Sequence, residues 1–294
     1  MYKTVNTVEE LKQIVDLVTE FGSFAFDIES RGVLERHDDV NTLFQKECKQ
    51  HIATLKNPSE DVVERSTEAI RQRYLKDLAL NPLRNEVFWL GIATHGHSWA
   101  IPMGHKLGEI LVPEQRGDGA TLPPLEHRKV LKNGAVSTAK TKYYIPAVYS
   151  EPPTQLSRYD VFETLRPLFF GTATKVGHNV KFDALSIQKY YGELSPGPYR
   201  DTMVLQHICD ENIPSFSLVN LILHNFGNHA PYAKEGKLGK TIDSVSYGAA
   251  SRYVHLDARW TWMLYIKLMA KLKAESSLLP VMEQDMDVLQ VLMN

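Results

Sequence analysis

The chain has 294 residues, 43% hydrophobic and 23% charged, which is the make-up of a globular protein of one large domain or two small ones. Its formal net charge of −2 excludes holding a polyanion by bulk charge and leaves that task to a local patch. Cys48 and Cys209 form no disulfide framework, the start MYKTVNTVEE has no signal-peptide pattern, and no uncharged apolar run approaches ~18 residues, so a cytoplasmic protein with no membrane span is expected.

Thr7-Val8-Glu9-Glu10 resembles a capping box without the ideal spacing, and Leu11, Ile14, Val15 and Val18 recur at helical spacing, which predicts a first helix. FAFDI predicts a strand. Residues 34–85 read as a helical insertion. One stripe runs through Leu43, Phe44, Cys48, Ile52 and Leu55, and a second through Val63, Ser66, Ile70, Tyr74 and Leu78. Asn57-Pro58-Ser59-Glu60 is a helix start with Pro in the first turn. VFWLGIATH and SWAIPM, joined through Gly96, predict a hairpin. Residues 104–153 are rich in Gly and Pro with little periodicity, which predicts a long loop or loose hairpin. Helices follow over 160–170 and 180–191, with the strand TKVGH between them. Further helices begin at Asp201, Ser217 and Ala249. The order predicts a single α/β domain, a mixed sheet flanked by helices.

Three segments place carboxylates in apolar surroundings. In FAFDIES, Asp27 and Glu29 are i and i+2, so a strand sends both to one face, where their repulsion calls for a cation. In GHNVKFDAL, Asn179 and Asp183 share a helix face. In SRYVHLDARWTW, Tyr253 and Asp257 do the same. Four acids from distant segments would form an all-oxygen ligand set suited to hard divalent cations. Two such ions ~3.5–4 Å apart clamp the attacking and leaving oxygens of a phosphoryl displacement.

FAFDIES, VGHNVKFDAL and YVHLD resemble motifs I, II and III of the DEDD 3′–5′ exonucleases. Tyr253, four residues before Asp257, matches the tyrosine subclass; His255 is then a bystander. WAIPMGH, LRPLFFGTATKVGHNVKFDALSIQKYYG and YRDTMVLQHICDENIPSFSLVNLILHNFG are similar to the proofreading domain of family A DNA polymerases, over roughly two-thirds of the chain. The segment 275–294 resembles the start of the helix that leads into a polymerase domain there. The resemblance implies an RNase H-like five-stranded sheet. It also implies that two Mg²⁺ or Mn²⁺ ions are held by Asp27, Glu29, Asp183 and Asp257, while Tyr253 orients the attacking water. Asn179 either positions the terminal nucleotide or caps its helix, and Val33 stands where the family carries an apolar wedge, usually a leucine.

The expected partner is the 3′ end of single-stranded DNA, with a polymerase domain or another replication protein beside it. Lys234, Lys237 and Lys240 in YAKEGKLGK, with Arg252 and Arg259, are the candidate strand contacts. The acid-free run from His127 to Lys142, with Arg128, Lys129, Lys132, Lys140 and Lys142, is either a DNA-binding arm or a solvated loop. His95-Gly-His97 reads as a turn rather than a zinc site. GKT at 239–241 is only a partial P-loop match. The leading expectation is a proofreading DNA exonuclease. The alternatives are an RNase D-like exoribonuclease, which shares the three motifs, and a non-catalytic nucleic-acid or partner-binding module, which would lack an acid.

Overall fold

Strand β1 (Tyr2–Thr4) leads into Thr7, whose side chain accepts the Glu10 N–H while Glu10 Oε2 accepts the Thr7 N–H. This complete capping box starts α1 (Val8–Phe21), and Gly22 ends it at φ 70°, a left-handed conformation that suits glycine. The computed structural model describes residues 1–227 and 242–293. Lys234, Lys237, Lys240 and the GKT triplet therefore lie outside the described residues.

The chain continues through β2 (Ser23–Arg31) and, after the helical segment described below, β3 (Glu86–Thr94) and β4 (His97–Pro102). Later come β9 (Thr174–Gly177) and β10 (Tyr199–Asp201), and the sheet order is β1-β4-β3-β2-β9-β10. β2, β3 and β4 are antiparallel neighbours; β1, β9 and β10 pair in parallel. The expected five strands become six. Both outer strands, β1 and β10, have three residues, too few for alternation to mark them. The β3–β4 hairpin turns at His95 and Gly96 as expected.

One face of the sheet carries the main core. Phe24, Phe26 and Ile28 of β2 and Leu90 and Ile92 of β3 pack with Leu11, Ile14 and Val18 of α1 and with α4 (Arg158–Phe170). Phe169 meets Phe24 and Phe26 edge-on at 5.6 and 5.3 Å. Each such buried side chain contributes about 1.5–3 kcal/mol. The opposite face is lined by small residues, Ala25, Gly91 and Ala93, over which the helix Tyr247–Ala274 crosses.

Residues 34–85 hold α2 (Asp38–Thr54) and α3 (Glu60–Ala79), packed through Phe44 and Tyr74 edge to face and joined by the Arg73–Glu47 ion pair. Ser59 is the N-cap of α3, so Pro58 stands just ahead of the helix rather than in its first turn. The helix crosses the end of β2 at Gly32, where a β-carbon would meet the Leu75 carbonyl oxygen at 2.1 Å. Residues 104–153 contain four short strands, β5 (Ile110–Val112), β6 (Gln115–Asp118), β7 (Lys142–Ile145) and β8 (Val148–Tyr149). They pair as β5–β8 and, inside that, β6–β7, which makes a long antiparallel ribbon. After β9 come α5 (Val180–Tyr191), α6 (Thr202–Cys209) and α7 (Leu218–Phe226). The crossing helix is α8 (Tyr247–Ala274), followed by α9 (Leu279–Val291).

Candidate active site

Asp27 and Glu29 lie on the same face of β2, opposite Gly91 and Trp89 of β3. That is the face crossed by α8. A β-carbon on Gly91 would stand 2.7 Å from the Val254 carbonyl oxygen and 3.0 Å from Ala258 Cβ, so only glycine admits the helix at this distance. The close crossing brings Asp257 down onto the strand. Carboxylate oxygens of Asp27, Glu29 and Asp257 all fall within 4.8 Å of one another.

Asp183 arrives by another route. β9 pairs with β2 only as far as Ala25↔Val176, then turns away through Gly177 and His178. Asn179 turns the chain at φ 62° and α5 begins at Val180. Beyond Ala25 the β9 side of β2 is thus unpaired, and Asp183, in the first turn of α5, accepts the Ile28 N–H there. Ile28 lies between Asp27 and Glu29. Asp183 stands outside the 4.8 Å trio but near enough for its charge to act on both of those acids.

The start of α5 is held by a residue that sequence reasoning did not single out. Asp201, at the end of β10, accepts the Asn179 N–H at 3.1 Å and the Val180 N–H at 2.8 Å, and also caps α6 through the Met203 N–H at 2.8 Å. The side chain of Asn179 makes no capping bond, so of its two alternatives capping falls to Asp201 instead. The only signal in the sequence is the Asp-Thr pair before a helical pattern, which announces the α6 cap but not the bonds to α5.

The electrostatics follow from this crowding. Burial, reinforced by Asp183, Asp257 and Glu29, raises the Asp27 carboxyl well above its usual range. Burial and the charges of Asp257 and Asp183 do the same to Glu29. Asp183 is raised by burial and by Asp201, against the Ile28 hydrogen bond. Burial and mutual repulsion both work against the charged form of the cluster, and a cation would favour it.

Tyr253 is buried one turn before Asp257, packed in a cluster with Phe88, Trp89 and Tyr247. His255 faces elsewhere: it stacks on Tyr2 at 3.7 Å and its Nδ1 meets Ser98 Oγ at 3.1 Å. Val33 is half-buried just past the end of β2, and Asn179, Arg252 and Arg259 are exposed. The ribbon bearing Arg128, Lys129, Lys132, Lys140 and Lys142 is rooted at the start of α8. Gly108 O accepts the Tyr247 N–H at 3.1 Å, and Glu109 Oε1 accepts the Gly248 N–H at 2.8 Å.

A family model, DNA_pol_A_exo1, described as 3′-5′ exonuclease, matches residues 125–273, just over half of the chain. The chain belongs to this 3′-5′ exonuclease family. Asp183, Tyr253 and Asp257 lie within the matched stretch; Asp27 and Glu29 precede it and fold against it. Solved structures with this fold include Escherichia coli RNase D, an exoribonuclease, with a TM-score of 0.53 at 13% identity. The catalytic core of RRP6 from Trypanosoma brucei gives 0.53 at 12%, and Pol1 from M. smegmatis 0.50 at 11%. The exonuclease chain is covered at 98–100% in these matches, but it spans 50%, 51% and 31% of the respective chains. At these identities the likeness establishes the fold alone. Among the described residues, no helix is long and apolar enough to cross a membrane.

Proposed function

We propose that this exonuclease removes nucleoside monophosphates from DNA 3′ ends and proofreads for a family A DNA polymerase, using two divalent ions, Mg²⁺ or Mn²⁺. The observation that carries the reading is the gathering of Asp27, Glu29 and Asp257 oxygens within 4.8 Å, with Asp183 on the adjoining backbone. The donors fit such ions: they are all oxygen, and their mutual repulsion is relieved by positive charge. When bound, the ions supply Lewis-acid polarisation of the phosphodiester and a water of lowered pKa.

In this reading Asp27, Glu29 and Asp257 would hold the ions, with Asp183 beside them completing the acidic set. Tyr253 holds the attacking water in line through its hydroxyl. Val33 packs on the terminal bases, Asn179 positions the terminal nucleotide, and Arg252 and Lys240 meet the strand. Support for DNA comes from the family match to polymerase exonucleases and from α9. That helix follows α8 after four intervening residues, where the resemblance places the link to a polymerase domain.

An RNase D-like exoribonuclease is the second reading, favoured by the fold shared with RNase D and RRP6. A 5′-labelled DNA strand, its RNA counterpart and a mismatched duplex, each with Mg²⁺, Mn²⁺ or EDTA, separate the two. DNA shortened from the 3′ end, faster at mismatched ends and stopped by EDTA, is the expected result. Faster loss of RNA would transfer the assignment to the second reading, and an intact ladder under all ions would end both.

A further inference from the structure

Beyond Glu29, β2 runs into a concentration of positive charge that the acidic site does not use. Glu86, 5% exposed at the start of β3, meets three guanidinium groups: Arg31 Nε at 3.0 Å, Arg36 Nη1 at 2.8 Å and Arg158 Nη2 at 2.7 Å. Among the described residues these arginines pair with no other carboxylate. Lys189, in the last turn of α5, is a further cation nearby, its Nζ donating to Pro82 O, Asn85 O and Asn85 Oδ1; burial and the neighbouring Arg158 bring its pKa down to about 8. Burial works against the charge of Glu86 as well, but the Arg31 hydrogen bonds and the charges of Arg158, Arg31 and Arg36 hold its carboxyl below the usual range.

Three guanidinium groups on one carboxylate, with Lys189 nearby, repel one another, and burial adds to the cost unless an anion completes the set. Two of the arginines are committed to the protein. Arg31 Nη1 donates to Gly104 O at 3.0 Å and its guanidinium lies over the Phe88 ring. Arg158 Nε donates to Val87 O at 2.6 Å. Arg36 differs: it is 61% exposed, and Glu86 holds it by one nitrogen only. The rest of its planar donor fork is the shape that receives a phosphate. Its place fits a strand leaving the acidic site. Arg31 lies two residues beyond Glu29, roughly 6.6 Å along the strand, and Arg36 lies three residues beyond Val33.

We infer that Arg36, steadied by Glu86 within this array, is a subsite for an internucleotide phosphate of the strand whose 3′ end enters the acidic site. The inference rests on the exonuclease reading. Its test is the anisotropy of a 5′-fluorescein oligothymidylate in EDTA, where the strand stays uncut, between about 50 and 200 mM salt. Arg36→Gln should bind several-fold more weakly, with the logarithmic salt slope reduced by about 0.7, the value for one phosphate contact on a single strand. Arg36→Glu should bind more weakly still, and Arg36→Lys should keep the wild-type slope. Unchanged affinity and slope in both Gln and Glu variants, beside a wild type that binds and shortens the strand with Mn²⁺, would remove the subsite and leave the exonuclease reading standing. A wild type that neither binds nor shortens the strand would remove both.

Discussion

Gly91 stands directly across the sheet from Asp27, and the missing side chain at Gly91 is what lets the Val254 turn of α8 lie over the strand. A β-carbon there would be 2.7 Å from a backbone oxygen, which cannot swing aside as a side-chain tip can. Gly91→Val should therefore cost about 1–3 kcal/mol in urea unfolding. It should reduce hydrolysis by more than the lost stability explains, because Asp257 moves with its helix. Wild-type turnover in a folded Gly91→Val protein would separate helix approach from activity.

Asp27 receives the charge of three neighbouring acids. Asp27→Asn removes one repelling charge, so the ion-free variant should melt roughly 2–4 °C above the wild type, as about 1 kcal/mol does in a chain of this size. The same change should abolish the rise in Tm that Mn²⁺ gives the wild type, and slow cleavage by more than about a hundredfold. Thermal scans with Mn²⁺ and with EDTA measure both signs.

Tyr253→Phe keeps the ring that packs with Phe88 and Trp89 and loses only the hydroxyl. Slower cleavage with an unchanged Mn²⁺-induced rise in Tm is expected. Equal loss of both would make Tyr253 a packing residue for the metal site rather than a group that orients water.

Asp201 accepts three backbone N–H groups at the starts of α5 and α6. Asp201→Ala should cost at least about 2 kcal/mol, since a lost cap is joined by buried donors left without acceptors. Because α5 carries Asp183, cleavage should fall as well. Chemical unfolding and single-turnover cleavage on one preparation test the pair.

Burial holds two imidazoles neutral, each with a pKa of about 4: His178, bonded to Thr202 at 2.8 Å, and His255, which Arg259 and Arg252 also disfavour as a cation. Between that value and the ordinary 6.5 the unfolded chain binds protons that the folded chain refuses. The contribution of these two groups is therefore complete above about pH 6.5 and is lost as pH drops through this window, by roughly 1 kcal/mol per pH unit for each, while the raised carboxyls of Asp27, Glu29 and Asp183 work in the opposite sense. The difference in urea midpoint between the wild type and His255→Gln, followed from pH 7.5 to 5, should isolate the slope of one imidazole.

The carboxylates were legible in the sequence because each sits where its local period declares its direction: i and i+2 in a strand for Asp27 and Glu29, one turn after Tyr253 for Asp257. The long helices and the β3–β4 hairpin were legible for the same reason. The short edge strands and the strands of the 104–153 ribbon were not, because three or four residues carry too little periodicity. Gly91 and Asp201 were missed for a different reason. Their work is done on segments far away in the chain, and a glycine in an apolar run or an aspartate before a helix has an ordinary local explanation. The three arginines on Glu86 and the nearby Lys189 come from three distant stretches of the chain, 31–36, 158 and 189, and left no pattern to read.

β9 parts from β2 after Ala25, and the Asp183 carboxylate takes the Ile28 amide that another strand would have claimed. Ladder and chemistry compete for the same row of amides over these residues. An activity built this way depends on a sheet left unfinished: a variant that zipped the two strands further together would gain regularity and lose its place for the fourth acid.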